Sequence, residues 1–540
     1  MHYPNPGSLP SVMKHSFSEV PKANIPRSTF NRSHGYKTCF DSGYLIPCFV
    51  DEALPGDTFN LRMSAFARLS APIRPVMDNV YLDTFFFAVP MRLIWNNFKK
   101  MMGEQEDPGD SIDYTVPQIV SAVTTGHSED SLSDYLGIPP GVGTLTHSSL
   151  WHRSYNLIWN EWFRDQNLQD SVTVDKDDGP DDIADYVLLK RGKRHDYFTS
   201  CLPWTQKATS AVALPLGTSA PIIGDGGNSQ WHTANDSTDR TLVAKSDTDK
   251  TVTLDLYAGA DSAMRLTTDD TKSGMIADLD DATAATINAL RLAFQTQKLL
   301  ERDARGGTRY TELVRSHFGV TSPDGRQQRP ELLGLGSKQI TFTPIPQTSA
   351  TDTGASSQTP QGNLAAYGTV SADGVGFVKS FTEHCLLLGL VSVRADLNYQ
   401  QGLNRMFSRS SRYDFYWPAL AHIGEQSVLN KEIYAQGDVN PTDDAATFGY
   451  QERYAEYRYK PSVITGRFRS SATNTLEVWH LAQDFASLPT LNSTFIQESP
   501  PLSRNQAVST EPEILFDSYF DLKCARPMPV YSVPGLIDHF

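Results

Sequence analysis

In the run MDNVYLDTFFFAVPMRLIWNNFKKMMG, Met77 to Gly103, two apolar periodicities meet and a proline divides them. Val80, Leu82, Thr84, Phe86 and Ala88 alternate with Tyr81, Asp83, Phe85, Phe87 and Val89, which is the pattern of a strand buried on nearly both faces. Pro90 ends that strand. Leu93, Ile94, Trp95, Phe98, Met101 and Met102 then recur at helical spacing as far as Gly103, so a helix is expected to start at the proline and cap at the glycine. A strand this aromatic needs apolar layers on both sides, and only a large domain supplies them.

The rest of the chain can supply them. Its 540 residues are 39% hydrophobic and 20% charged, and no run of about 18 apolar residues could cross a bilayer. The first residues, MHYPNPGSLPSVMKHSFSEV, lack the continuous apolar core of a secretory signal. Cys39, Cys48, Cys201, Cys385 and Cys524 are scattered, odd in number and without a CxxC pair, which points to reduced thiols and not to disulfides or zinc. The formal net charge of −15 opposes wholesale coating by nucleic acid but leaves room for local basic patches.

Residues 1–34 are rich in Pro, Ser and Asn and carry Lys14, Lys22, Arg27 and Arg32 against the single acid Glu19, so they read as an extended basic arm. Strand-like runs follow from Tyr36 to Val50 and from Thr58 to Ser70, separated by a turn at Pro55-Gly56. A second aromatic helix is expected over Trp151–Gln169, with Tyr155, Leu157, Ile158, Trp159, Trp162 and Phe163 as its core side. In Tyr186 to Trp204 the cations Lys190, Arg191, Lys193, Arg194 and His195 gather between apolar runs. The reading is a solvated turn, with an ion pair across a subunit contact as the alternative.

Composition changes after Trp204. Asp225 to Asp281 holds twelve Asp, no Glu and five Lys plus Arg, so residues 205–281 read as an inserted, exposed, mostly β module with little core of its own. Helices are expected over Ala284–Asp303 and Tyr310–Phe318, the latter capped by Gly319. Thr321 to Gly374 is rich in Pro, Ser, Thr, Gln and Gly. One strand, Gln339 to Ile345, is expected within it, the remainder being laid over a surface. Phe377 to Leu397 should be a central strand, and Val463–Phe485 and Ile514–Lys523 two more. Strands at the start, middle and end, separated by helices and long loops, fit a decorated antiparallel β-barrel or sandwich. The organisation expected is a basic arm (1–34), a first β part with helical insertions (35–204), the acidic insertion (205–281), helices with a long surface loop (282–376), and a closing β part with a C-terminal tail (377–540).

No G-x-S-x-G, H-E-x-x-H, Walker loop, dinucleotide fingerprint or calcium loop occurs, so neither catalytic nor metal-ligating residues are assigned and no cofactor is expected. A carbohydrate-binding or glycoside-processing β protein is the competing class, because Trp231 and Tyr257 in the insertion could stack on sugars.

Four long runs carry a resemblance: YNLIWNEWFRDQ (155–166), VRADLNYQQG (393–402), FGYQERYAEYRYKP (448–461) and YSVPGLIDHF (531–540). With them the chain resembles the major capsid proteins of gokushoviruses, small single-stranded DNA bacteriophages of the Microviridae. The resemblance implies a mainly β chain, an eight-stranded antiparallel viral jelly roll with large loop and helical insertions. It also implies about sixty copies closing a T=1 icosahedral shell around circular single-stranded DNA. The partners it implies are other copies of the chain, the packaged DNA, a small internal DNA-binding protein of the phage and a host bacterial surface receptor, with synthesis in the host cytoplasm.

Two surfaces are expected to carry that function. In Gly402 to Trp417, Arg405, Arg409 and Arg412 recur every three or four residues among Phe407, Tyr413, Phe415 and Tyr416, a mixture of phosphate-neutralising charge and stacking rings. Arg405, Phe407, Arg409, Arg412 and Tyr413 are therefore the nucleic-acid-facing set. The acidic insertion would be repelled by packaged phosphate and belongs outside. Trp231, Asp236, Asp247, Asp249 and Tyr257 are its expected attachment residues, and the family carries such an insertion as protrusions on the three-fold axes. Both chain ends are expected to dock on the shell, since Leu536, Ile537 and Phe540 have no reason to sit in a solvated tail.

Overall fold

A computed structural model describes residues 26–207, 212, 222–224, 230–233, 236–241, 264–266, 275–277, 287–350, 361–508 and 510–531. The chain divides into two compact units, Met1–Thr205 with Thr308–Phe540, and Gln206–Gly307.

The first unit is built on eight long strands: β1 (His34–Phe40), β2 (Ile46–Ala53), β3 (Thr58–Leu69), β4 (Val80–Pro90), β5 (Glu331–Pro346), β6 (Leu364–Ser380), β7 (Cys385–Ala395) and β8 (Ile514–Arg526). They pair antiparallel in the order β1-β8-β3-β6-β5-β4-β7-β2. This is the strand order of a jelly roll: two four-stranded halves, β1-β8-β3-β6 and β5-β4-β7-β2, joined through the β5/β6 hairpin. A short strand, Ser28–Asn31, extends the β8 edge, so the end of the basic arm is already sheet.

Alternation explains which half faces what. In β3 and β8 every second residue is buried and the intervening ones are exposed, so this half has one dry face and one wet one. Phe59, Leu61, Met63, Phe516, Phe520 and Leu522 point inward and share one core with Val80, Leu82, Phe86, Leu387, Val391 and Val393 of the other half. Strand β7 is buried along its whole length, because Leu386, Leu388 and Leu390 on its other face enter a second core with Phe87 and Val89 of β4. That second core is closed by Ile94, Trp95, Tyr155, Ile158 and Trp159. Each such side chain contributes roughly 1.5–3 kcal/mol of burial, so the aromatic helices and the doubly buried strands need one another.

Several expectations are corrected. The helix expected after Pro90 is a 3₁₀ turn at Met91–Leu93 followed by one α-turn, Phe98–Met101, because Trp95 Nε1 and Asn97 Nδ2 both donate to Asp178 and hold the intervening chain open. The helix expected to reach Gln169 is α1 (Leu150–Ile158), which widens into a π-turn over Trp159–Phe163 and stops. Val463–Phe485 is no central strand. Only Ser462–Val463 pairs, with Asn398–Tyr399, and the rest is held by side chains such as Gln400, which donates to Ser470 Oγ and Gln483 O. Finally, Thr321–Gly374 is expected to be a surface loop apart from one strand at Gln339–Ile345; that strand is present but is part of the longer β5, and most of β6 lies in the segment too. Its glycines misled the reading: a Cβ at Gly334 or Gly376 would collide with the backbone of Gly376 or Leu61, so small residues are needed where these strands cross closely. The continuous strand expected from Tyr36 to Val50 is two strands, β1 and β2, which lie in different halves.

Candidate nucleic-acid and shell interfaces

The segment after β7 brings the expected genome-facing residues onto two 3₁₀ turns, Arg405–Ser408 and Arg412–Asp414. Their surroundings separate them. Arg405 donates to Ser427 O at 2.7 Å and to Glu432 Oε1 at 3.0 Å, and Glu432 also accepts from the Tyr197 hydroxyl at 2.9 Å. Arg409 lies 3.6 Å from Glu456 and against the rings of Tyr457 and Phe415. Arg412 stacks over Trp417 and has no carboxylate partner among the described residues. Two of the three cations are therefore neutralised within the subunit. The rings behave oppositely: Phe407 is 69% and Tyr413 64% exposed, and Phe415 and Tyr416 are exposed beside them. An exposed apolar cluster of this kind is what contacts to a partner are made from.

The unit Gln206–Gly307 holds a three-stranded antiparallel sheet of Gln230–Thr233, Asp236–Thr241 and Met264–Leu266. Trp231 stands opposite Leu266 and Arg240, and Asp236 opposite Thr233, so these two expected attachment residues share one sheet. Asp247, Asp249 and Tyr257 lie outside the described residues, as do most of the basic arm and the last nine residues. The unit also contains α2 (Ile287–Gly306), along which only Ala304 is buried. Ile287, Leu292, Phe294 and Leu299 are exposed along it. The helix expected next is present as α3 (Tyr310–Phe318), ending on Gly319 in the left-handed region.

The basic run Lys190 to His195 is less solvated than its composition suggests. Arg191 pairs with Asp83 at 2.6 Å, and Lys193 is buried with its ammonium 4.6 Å from the centre of the Phe495 ring. Burial lowers the Lys193 pKa to about 8, with Glu498 and Asp196 pulling the other way. Asp83 also takes Arg394 Nε at 2.7 Å. Burial pushes its carboxyl up, but the Ser337 hydroxyl and the two guanidiniums outweigh that and hold it below the usual range.

Two buried polar groupings have no signature in the sequence. Arg153, beneath the second core, clasps Asp181 through Nε at 2.7 Å and through Nη2, and donates Nη1 to Ile94 O and Asp177 O. Beside it His127 Nε2 meets His147 Nε2 at 2.9 Å, His147 stacks on His152, and His152 Nε2 meets Ser133 Oγ at 2.9 Å. His127 comes from a loop, His147 from a short strand (Thr146–Ser148) and His152 from α1, and only the fold unites them.

A model of the family described as capsid protein (F protein) matches residues 18–536. Capsid protein VP1 of Bdellovibrio phage phiMH2K is 47% identical over 537 residues, covering 98% of both chains. Capsid protein VP1 of Chlamydia phage 1 is 44% identical, again with 98% of both covered, and that of Spiroplasma virus 4 is 36% identical with 97% of both covered. With the jelly-roll strand order already established, the chain belongs to the capsid protein (F protein) family and is a major capsid protein of the gokushovirus type, a structural component of the virion that assembles with its own copies into a shell.

Proposed function

We propose that about sixty copies close a T=1 shell around circular single-stranded DNA. In this reading the chain is made in the host cytoplasm, joined by a small internal DNA-binding protein, and has no catalytic role. The observation that carries it is the end-to-end likeness to phage capsid proteins on a jelly-roll strand order. In the Gly402–Trp417 segment, Arg412 with Phe407 and Tyr413 is the part proposed to reach the packaged strand. Neutralisation of Arg405 and Arg409 favours a second reading, in which the exposed rings contact a neighbouring subunit. Photo-cross-linking of filled particles decides between them: adducts to DNA at Phe407 or Tyr413 support the first, and subunit-to-subunit adducts alone the second.

The unit Gln206–Gly307 is proposed to lie on the outer surface and to engage the host receptor. Its acidity and the apolar side chains that α2 leaves exposed support this, the latter as contacts between copies. Exchange of this unit for that of a related phage is expected to move the adsorption range to that of the donor. Particles that assemble but keep the original range would remove the attachment role and leave only a structural clasp.

A further inference from the structure

A cleft of about 440 Å³ opens between the π-turn that ends α1, strand β4 and the basic run Arg191–His195. Its size is in the range of small-ligand sites. Five cations line it, Arg164, Arg191, Lys193, Arg194 and Arg309, against two carboxylates, Asp165 and Glu312. Neighbouring groups use up only part of that charge. Arg191 has Asp83 and Arg309 has Glu312 at 3.0 Å, whereas Arg164, Lys193 and Arg194 have no carboxylate within ion-pair distance among the described residues.

The guanidiniums are also incompletely satisfied. The Nε groups of Arg164, Arg191 and Arg309 are buried without an acceptor. A buried, unpaired N–H costs about 1–3 kcal/mol. All three belong to residues that line the cleft, so its wall carries guanidinium groups whose hydrogen-bonding capacity the subunit leaves partly unused. Arg164 has its pKa lowered, by burial first and then by the like charge of Arg309, which is the state an incoming anion relieves. Aromatic rings line it as well: Phe85 and Phe163 meet edge to face at 5.1 Å, the Arg191 guanidinium lies 5.6 Å from the centre of the Phe85 ring, and both rings are only half-buried.

We propose that this cleft is a nucleotide site, taking one phosphate of a single-stranded nucleic acid between Arg164, Lys193 and Arg194 with its base against Phe85 and Phe163. Charge alone would suit an acidic side chain equally, but such a group would leave the ring wall bare. A nucleotide covers both ends, with the phosphate held by charge-assisted hydrogen bonds and the base by stacking. The assignment to the packaged genome rests on reading the shell as enclosing single-stranded DNA; the site itself does not.

Calorimetric titration of the full chain with dAMP, inorganic phosphate and deoxyadenosine tests it. The expected result is dAMP binding at least tenfold tighter than either fragment and weakening with salt. Lys193→Met and Arg194→Ala are each expected to weaken it tenfold or more. Arg194 is exposed and its side chain makes no hydrogen bond or ion pair among the described residues, so that variant should fold normally. Equal affinity for phosphate and dAMP would overturn the base-stacking half, and absence of binding at millimolar dAMP, or unchanged affinity in both variants, would overturn the site. In filled particles, DNA cross-links at Phe85 or Phe163 support the genomic assignment, and dAMP binding without them would overturn that assignment alone.

Discussion

Replacing Arg153 by leucine is expected to lower the stability of the folded chain by about 3–5 kcal/mol, the usual cost of stranding one partner of a buried ion pair. Arg153 is fully buried and Asp181 nearly so, and the guanidinium satisfies both carboxylate oxygens and two main-chain carbonyls at once. Burial alone would raise the Asp181 pKa; hydrogen bonds from Arg153 and Tyr186 reverse that and keep it charged. With leucine at 153 a lone carboxylate remains under the second core, against which β4 and β7 pack. Lysine should rescue little, because one ammonium cannot reproduce the planar fork. The double variant Arg153→Leu with Asp181→Asn should be less destabilised than Arg153→Leu alone. Denaturant unfolding of the four proteins checks this, and a single-variant loss below about 1 kcal/mol would show that the pair is not what anchors the second core.

The second large effect is acid lability centred on His152. Burial pushes its pKa down to about 3, helped by His147 and His127 and opposed by Asp181. The charged and titratable groups facing it are those three, with the Ser133 hydroxyl on Nε2, the Tyr186 ring on its edge and Arg153 beyond Asp181. The folded pKa is below the unfolded value near 6.5, so the unfolded chain binds the extra proton first. Stability from this group is complete above about pH 6.5 and declines as pH falls toward about 3, by roughly 1.4 kcal/mol per unit. His152→Gln cannot titrate and should flatten the fall in unfolding free energy between pH 6 and 4. Parallel pH profiles for the two proteins would rule out His152 as the source.

How much of this could be read from the residues alone follows from what each element depends on. Val80–Pro90 and Cys385–Ala395 declare themselves because strands buried on both faces must be apolar almost throughout. β5, beyond Gln339–Ile345, and β6 do not. Their glycines are required by close crossing of strands, a tertiary demand that looks like loop chemistry in one dimension. The same limit applies to the sites. The Arg405–Arg412 spacing is visible, but Glu432 and Glu456, which neutralise two of its members, arrive from later turns. Lys193 and Arg194 stand in a conspicuous basic run, whereas Arg164 and Arg309 join them only because Arg309 Nη2 donates to the carbonyls of Asn160 and Arg164. Family membership was legible from long exact runs spread along the chain, since those do not depend on knowing the fold.

The wet face of β3 and β8 fits a structural role as well. Arg62, Phe66 and Arg68 alternate there with buried Leu61, Met63, Ala65 and Ala67, leaving one side of the sheet for neighbours or solvent. A shell subunit must present several distinct surfaces to its copies, and this chain has such surfaces in that sheet face, in the rings around Phe407 and in α2.

Weighing assembled particles emptied of nucleic acid, by charge-detection mass spectrometry, tests the closed-shell account most directly. With a subunit of 59.9 kDa the account predicts a protein mass of about 3.6 MDa for about sixty copies, plus any small internal protein. A mass corresponding to several times that copy number, or a population of small oligomers with no closed particle, would contradict it.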